Sequence, residues 1–73
     1  MQEAEFLKQL AKRITHERKR QNITQEELAF DCFIDKTYLA RIEAGSVNPS
    51  IRILYRIARK LRVKMRDLFK YVL

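Results

Sequence analysis

Apolar residues recur at three- and four-residue spacing along most of this chain, the period of amphipathic helices with one buried face each. The first stripe, Phe6, Leu7, Leu10, Ala11 and Ile14, predicts a helix from about Glu3 to Gln21. Its basic end, Arg18 to Arg20, suits the negative pole of the helix dipole, and Asn22 tolerates the left-handed conformation that stops a helix. Thr24 and Glu27 form a T-x-x-E capping box that opens a second helix, in which Leu28, Ala29 and Cys32 point inward and which ends near Cys32. Asp35 is a good N-cap for a third helix running to about Ala44, and Gly45 is its left-handed stop. Tyr38, Leu39 and Ile42 share one arc of that helix, while Lys36, Thr37, Ala40 and Arg41 fill the opposite arc. Asn48-Pro49-Ser50 marks a loop, with Ser50 capping a fourth helix over about Ile51 to Leu61. Ile51, Leu54, Ile57, Ala58 and Leu61 make its core stripe, and Arg52, Arg56 and Arg59 line its outer face. A short fifth helix, about Arg66 to Val72, carries Leu68, Phe69 and Val72.

One Gly and one Pro in 73 residues are too few turn residues for a sheet protein. The expected fold class is therefore all-α: a compact five-helix bundle forming one domain over residues 1–73. A chain this short buries only about 60% of its unfolded surface, so its stability is expected to be modest. Cys32 is the single cysteine, which excludes an internal disulfide and fits a reducing, cytoplasmic setting. With His16 it offers at most two soft ligands, where a closed zinc site needs about four, so no metal is expected. Cys32 reads as a small buried hydrophobe and His16 as an exposed helix residue. No apolar run has signal-peptide or membrane-spanning length. One His and scattered carboxylates assemble no nucleophile–base pair, and there is no Gly-rich phosphate loop, so neither an enzyme nor a cofactor is expected.

Charge adds a direction. Sixteen Lys and Arg against nine Asp and Glu leave a net charge of +7 and a pI near 10.0. Such a balance favours a polyanionic partner, most commonly nucleic acid. The second and third helices with their tight turn supply a way to read one. A major groove about 12 Å wide admits a single α-helix, whose N-terminal side chains reach base edges. Lys36 and Thr37 are placed to do so, Ala40 allows close approach and contact with a thymine methyl, and Arg41 can reach a guanine or a phosphate. Gln25 opens the second helix, where its backbone N–H suits a phosphate and its amide an adenine. Arg52, near the start of the fourth helix, is a further phosphate candidate.

The segments TQEELA at 24–29, KTYLARIEAG at 36–45, NPS at 48–50 and RIARKLRVKMRDLF at 56–69 together resemble the helix-turn-helix domains of phage repressors, Cro proteins and related bacterial regulators. The resemblance runs from Leu10 to Phe69. The segment IDKTYLARIE is also similar to that of the controller proteins of restriction–modification systems. The resemblance implies that Gln25, Lys36, Thr37 and Arg41 contact DNA and that Ser46 and Asn48 hold the phosphate backbone. It implies that Arg18 and Glu43 form an internal ion pair between the first and third helices, which gives Arg18 a structural role. Three residues depart from the family pattern: Phe33 and Arg62 stand where Gly is usual, and Lys64 stands where a capping Ser or Asp is usual. A bulky left-handed residue costs about 1–2 kcal/mol, which predicts a reshaped turn at Phe33; poor capping predicts fraying of the fifth helix at Lys64.

Phe69, Tyr71, Val72 and Leu73 are too many apolar residues for a short terminus to bury alone. With Tyr55 and Ile53 they suggest a self-complementary patch, and hence a homodimer whose two-fold axis spaces two reading helices one DNA turn apart. The expected function is a sequence-specific regulator of transcription acting on double-stranded DNA, of the repressor type by resemblance, with activation or repression left open by the sequence. An antitoxin-like protein-interaction module with secondary DNA binding is the alternative, and a basic surface binder of RNA or membranes a third.

Overall fold

The structure, a computed structural model, describes residues 2–70. Five helices follow in order: α1 (Glu3–Arg20), α2 (Gln25–Asp31), α3 (Lys36–Glu43), α4 (Ile51–Leu61) and α5 (Met65–Leu68). No strand occurs among the described residues. The capping box forms: Thr24 Oγ1 accepts from the Glu27 N–H at 3.0 Å, and Glu27 Oε1 accepts from the Thr24 N–H at 3.1 Å. Ser50 Oγ likewise accepts from the Ile53 N–H at 3.2 Å and starts α4. Asp35 differs from expectation: it occupies the N-cap position of α3, but its carboxylate makes no capping hydrogen bond.

Four helices end in the same way. Asn22, Phe33 and Arg62 all lie at φ 58° and Gly45 at φ 73°. The residue after each donates its N–H to a carbonyl five positions back: Ile23 to Arg18, Ile34 to Ala29, Ser46 to Arg41 and Val63 to Ala58, at 3.0–3.1 Å. This is the Schellman closure, which satisfies carbonyls that the helix leaves open. Ile23, Ile34 and Val63 also pack against the core, so each stop is fastened from inside. The turn at Phe33 is therefore not reshaped: Phe33 adopts the left-handed conformation that Gly would take without strain. Gly45 is required twice over, by its positive φ and because a Cβ there would lie 2.9 Å from Lys8 Cα of α1.

The core is continuous. Leu10 and Ile14 of α1 meet Leu28, Ala29 and Cys32, then Leu39 and Ile42, then Leu54, Ile57, Ala58 and Leu61, with Leu68 closing one end. Cys32 is fully buried, and burial pushes its thiol up to about 11. Ile51 departs from the predicted stripe: it is 69% exposed, whereas Ile53 in the same turn packs against the core. Polar ties supplement the packing. Arg13 Nε donates to the Asp67 carbonyl at 2.9 Å, joining α1 to α5, and Gln21 Nε2 donates to the Leu61 carbonyl at 2.6 Å.

The fifth helix starts one residue early and is shorter than predicted, ending at Leu68 with Phe69 as its C-cap. Lys64 has no side-chain acceptor, but Asp67 Oδ2 accepts the Lys64 N–H at 2.8 Å, half of a capping box. Val72, together with Tyr71 and Leu73, lies outside the described residues. No helix among the described residues is long and apolar enough to cross a membrane.

Candidate nucleic-acid interface

Helix α3 is divided lengthwise. Leu39 and Ile42 are buried and Tyr38 is half-buried, whereas Lys36, Thr37 and Arg41 are exposed and Ala40 is half-buried between them. The buried arc clamps α3 to α1 and α2, which leaves the polar arc outward as a rigid ridge. Ala40 sits at the crest with only a methyl group, so nothing on that line holds the ridge away from a flat or concave partner. Both charged residues on the arc, Lys36 and Arg41, are cations.

Lys36 is not idle. Its Nζ lies 3.3 Å from Glu26 Oε1 of α2, both side chains well exposed. An exposed pair of this kind is worth little, so the ammonium is readily transferred to a phosphate or base acceptor. Lys36 shares an open cleft with Thr24, Gln25, Glu26 and Arg18. The fold thus brings Gln25 and Lys36, eleven positions apart in the sequence, to the walls of one cleft.

Arg18 belongs to the floor of that cleft. Its Nε and Nη2 donate to Glu43 Oε2 and Oε1 at 2.8 and 2.9 Å, and Nη1 donates to the Ile23 carbonyl at 2.8 Å. Its side chain is only 10% exposed and that of Glu43 5%. Fork-to-fork geometry, with each of the three guanidinium nitrogens donating, makes it a cross-brace between α1 and α3. Gln25 joins the same carboxylate, its Nε2 donating to Glu43 Oε1 at 3.1 Å. That link was not visible in the sequence, because it joins the first residue of α2 to the last of α3 through a pair that only the fold assembles.

The loop after α3 alternates. Ser46, Asn48 and Ser50 are exposed, whereas Val47 is half-buried and Pro49 buried. The inward residues pin the loop, and the outward ones present polar groups. Ser46 Oγ also donates to the Arg41 carbonyl at 3.2 Å, closing the end of α3. Arg52, the second residue of α4, is exposed. The other two arginines of α4 are engaged elsewhere: Arg56 lies over the Phe33 ring and Arg59 over the Tyr55 ring, at 5.7 and 5.8 Å from the centroids.

The proposed dimer residues separate. Tyr55 is 51% exposed, whereas Phe69 is half-buried with its ring stacked on Phe6 at a centroid distance of 6.2 Å. Ile53 is half-buried against the core. Tyr71, Val72 and Leu73 lie outside the described residues.

Comparison with known proteins agrees with this geometry. The chain is 38% identical over 50 residues to the control protein C.BamHI of Bacillus amyloliquefaciens, a match covering 68% of this chain and 62% of that protein, so less than two thirds of that relative's length is spanned. Among solved structures, the restriction–modification controller protein C.AhdI from Aeromonas hydrophila superposes with a TM-score of 0.84 at 30% identity, covering 86% of this chain and 96% of that one. The restriction–modification controller protein C.Esp1396I, solved as a tetramer in complex with its natural 35 base-pair operator, superposes with a TM-score of 0.80 at 31% identity over 92% of this chain and 88% of that one. The helix-turn-helix family model matches residues 14–68, which takes in the capping box, the left-handed turn, the polar arc of α3 and most of the core: the chain belongs to the helix-turn-helix family.

Proposed function

We propose that this protein is a sequence-specific regulator of transcription that binds double-stranded DNA in the cytoplasm, laying α3 in the major groove. The observation that carries this reading is the lengthwise division of α3. An arc of Lys36, Thr37, Ala40 and Arg41 stands clear of a core that immobilises the opposite arc. Lys36, Thr37 and Arg41 read base edges, with Ala40 against a thymine methyl. Ser46, Asn48 and Arg52 hold phosphates on the flank, which fixes register and sets the salt dependence of affinity. Gln25 contributes from the wall of the shared cleft.

The regulator acts as a homodimer through α4 and the C-terminal residues. Ile51 and Tyr55, one turn apart on α4, are 69% and 51% exposed and form an outward apolar strip. That strip is the described part of the two-fold contact; Phe69, Tyr71, Val72 and Leu73 are its proposed C-terminal members, the last three lying outside the described residues. C.Esp1396I, whose structure with its operator contains four copies, supports assembly on DNA.

Selection of bound sequences from a random duplex pool tests the whole reading. The expected result is convergence on an inverted repeat with half-sites about one helical turn apart. A pool that stays random at moderate salt overturns it, and convergence on a single half-site overturns the dimer.

A further inference from the structure

The Glu43 carboxylate does more than anchor Arg18. It receives two donors from the guanidinium, at 2.8 and 2.9 Å, and a third from Gln25 Nε2 at 3.1 Å. A carboxylate paired through both oxygens with a guanidinium offers acceptors only. Only the NH2 edge of the Gln25 amide can therefore face Glu43. The direction of an amide is often ambiguous, but here the chemistry of the partner imposes it. Gln25 is left with a defined outward edge: its carbonyl oxygen as acceptor and its second N–H as donor.

That edge matches one base better than another. Adenine offers a donor at N6 beside an acceptor at N7, whereas guanine offers two acceptors, N7 and O6. An amide free to turn could adapt to a different neighbour. An amide held by Glu43 meets guanine with its oxygen opposed to an acceptor. We infer that Glu43 is a positioning residue for base reading: by holding the Gln25 amide in one direction it makes Gln25 select adenine. The inference rests on the DNA-reading role proposed above. It also gives the cross-brace a second consequence, because the pair that locks α1 to α3 orients a reading group on α2.

Glu43→Gln tests this. It keeps the length of the side chain and a carbonyl for Arg18, but it can offer Gln25 either a donor or an acceptor, so the amide is released. Affinities are measured for the selected site and for sites in which each A·T pair is replaced in turn by G·C. The proteins are the wild-type chain, E43Q, Q25A and the double variant. At one position the wild-type chain is expected to prefer adenine about tenfold or more. Both single variants lose that preference, and the double variant loses no more than Q25A alone. Retention of the preference by E43Q, or a further loss on adding E43Q to Q25A, overturns the positioning role. A wild-type chain without preference for any duplex overturns the DNA-reading assignment instead, so the two failures are told apart.

A second measurement needs no folded variant of Glu43. The side-chain amide of Gln25, identified by comparing wild-type and Q25A spectra, is expected to be as ordered in 15N relaxation as that of Gln21, which is held by the Leu61 carbonyl. Mobility equal to that of the exposed Gln2 amide overturns the positioning role.

Discussion

Arg56 places its guanidinium 5.7 Å from the centroid of the Phe33 ring, while Phe33 holds a left-handed backbone at φ 58°. The ring is 83% exposed, so burial contributes little to offset the strain. The Schellman bond from Ile34 and the inward packing of Ile34 impose the conformation, and the contact with Arg56 recovers a part of its cost.

A direct test compares two variants that both remove the ring. Phe33→Gly is expected to be more stable than Phe33→Ala by about 1 kcal/mol, because only Gly accepts positive φ without strain. Urea denaturation of the pair measures the difference. Equal midpoints would mean that the turn relaxes out of the left-handed region.

The cross-brace of Arg18 and Glu43 predicts an asymmetric response. Arg18→Met leaves a buried carboxylate without its counter-ion and should cost about 3–5 kcal/mol, a large part of the stability of so small a domain. Adding Glu43→Leu removes the orphaned charge and should recover much of the loss. A double variant no more stable than Arg18→Met would show that the pair stabilises the fold through more than charge compensation.

The polar arc of α3 predicts losses confined to specific binding. Lys36→Ala and Arg41→Ala should each cost about 1–3 kcal/mol on the selected site and much less on random duplex. Titrations at several salt concentrations separate the two roles. Equal losses on both duplexes, with a shallower salt slope, would make these residues phosphate contacts only.

Stability should fall in acid for identifiable reasons. The Glu17 carboxyl is held below its ordinary value of 4.5, chiefly by the hydrogen bond from Arg20, against the opposing effect of its burial. Glu27 is held below 4.5 by the Thr24 backbone N–H and by its other contact with Thr24. A carboxyl whose pKa is lowered on folding stabilises the native state above its unfolded value. That contribution disappears as the pH falls through the folded value. Both contributions are therefore fully present above about 4.5 and lost below it. Thermal denaturation between pH 7 and pH 3 should show a shallower acid decline for Glu17→Gln and Glu27→Gln than for the wild-type chain, and parallel curves would contradict the assignment.

Cys32 should be chemically silent in the folded state. Its thiol is fully buried and pushed up to about 11 by desolvation, so almost no thiolate exists at pH 8. Labelling by a thiol reagent should wait for unfolding and accelerate in denaturant to the rate of an exposed cysteine. Rapid labelling without denaturant would contradict the buried position.

Much of this was legible from the residues alone, because helix period, capping box and small-residue stops act over a few neighbours. Thr24 with Glu27, Ser50, Asn22 and Gly45 announce their roles locally, and the split of α3 into an apolar and a polar arc follows from spacing. The errors fall where the outcome depends on what lies opposite. Ile51 has the spacing of a core residue but no neighbour to cover it. Asp35 stands at a cap position without bonding, and α5 stops at Leu68 although apolar residues continue.

The order of the helices, their approximate starts and the polar face of α3 were determined by the sequence itself, since each arises from contacts within one or two turns of chain. Tertiary structure decided the rest. Phe33 and Arg62 are left-handed because distant packing fastens the residues that follow them, and Gln25, Arg18 and Glu43 converge because three helices cross at one point. No local pattern encodes such a meeting, for its energy exists only once the core has brought the chain segments together.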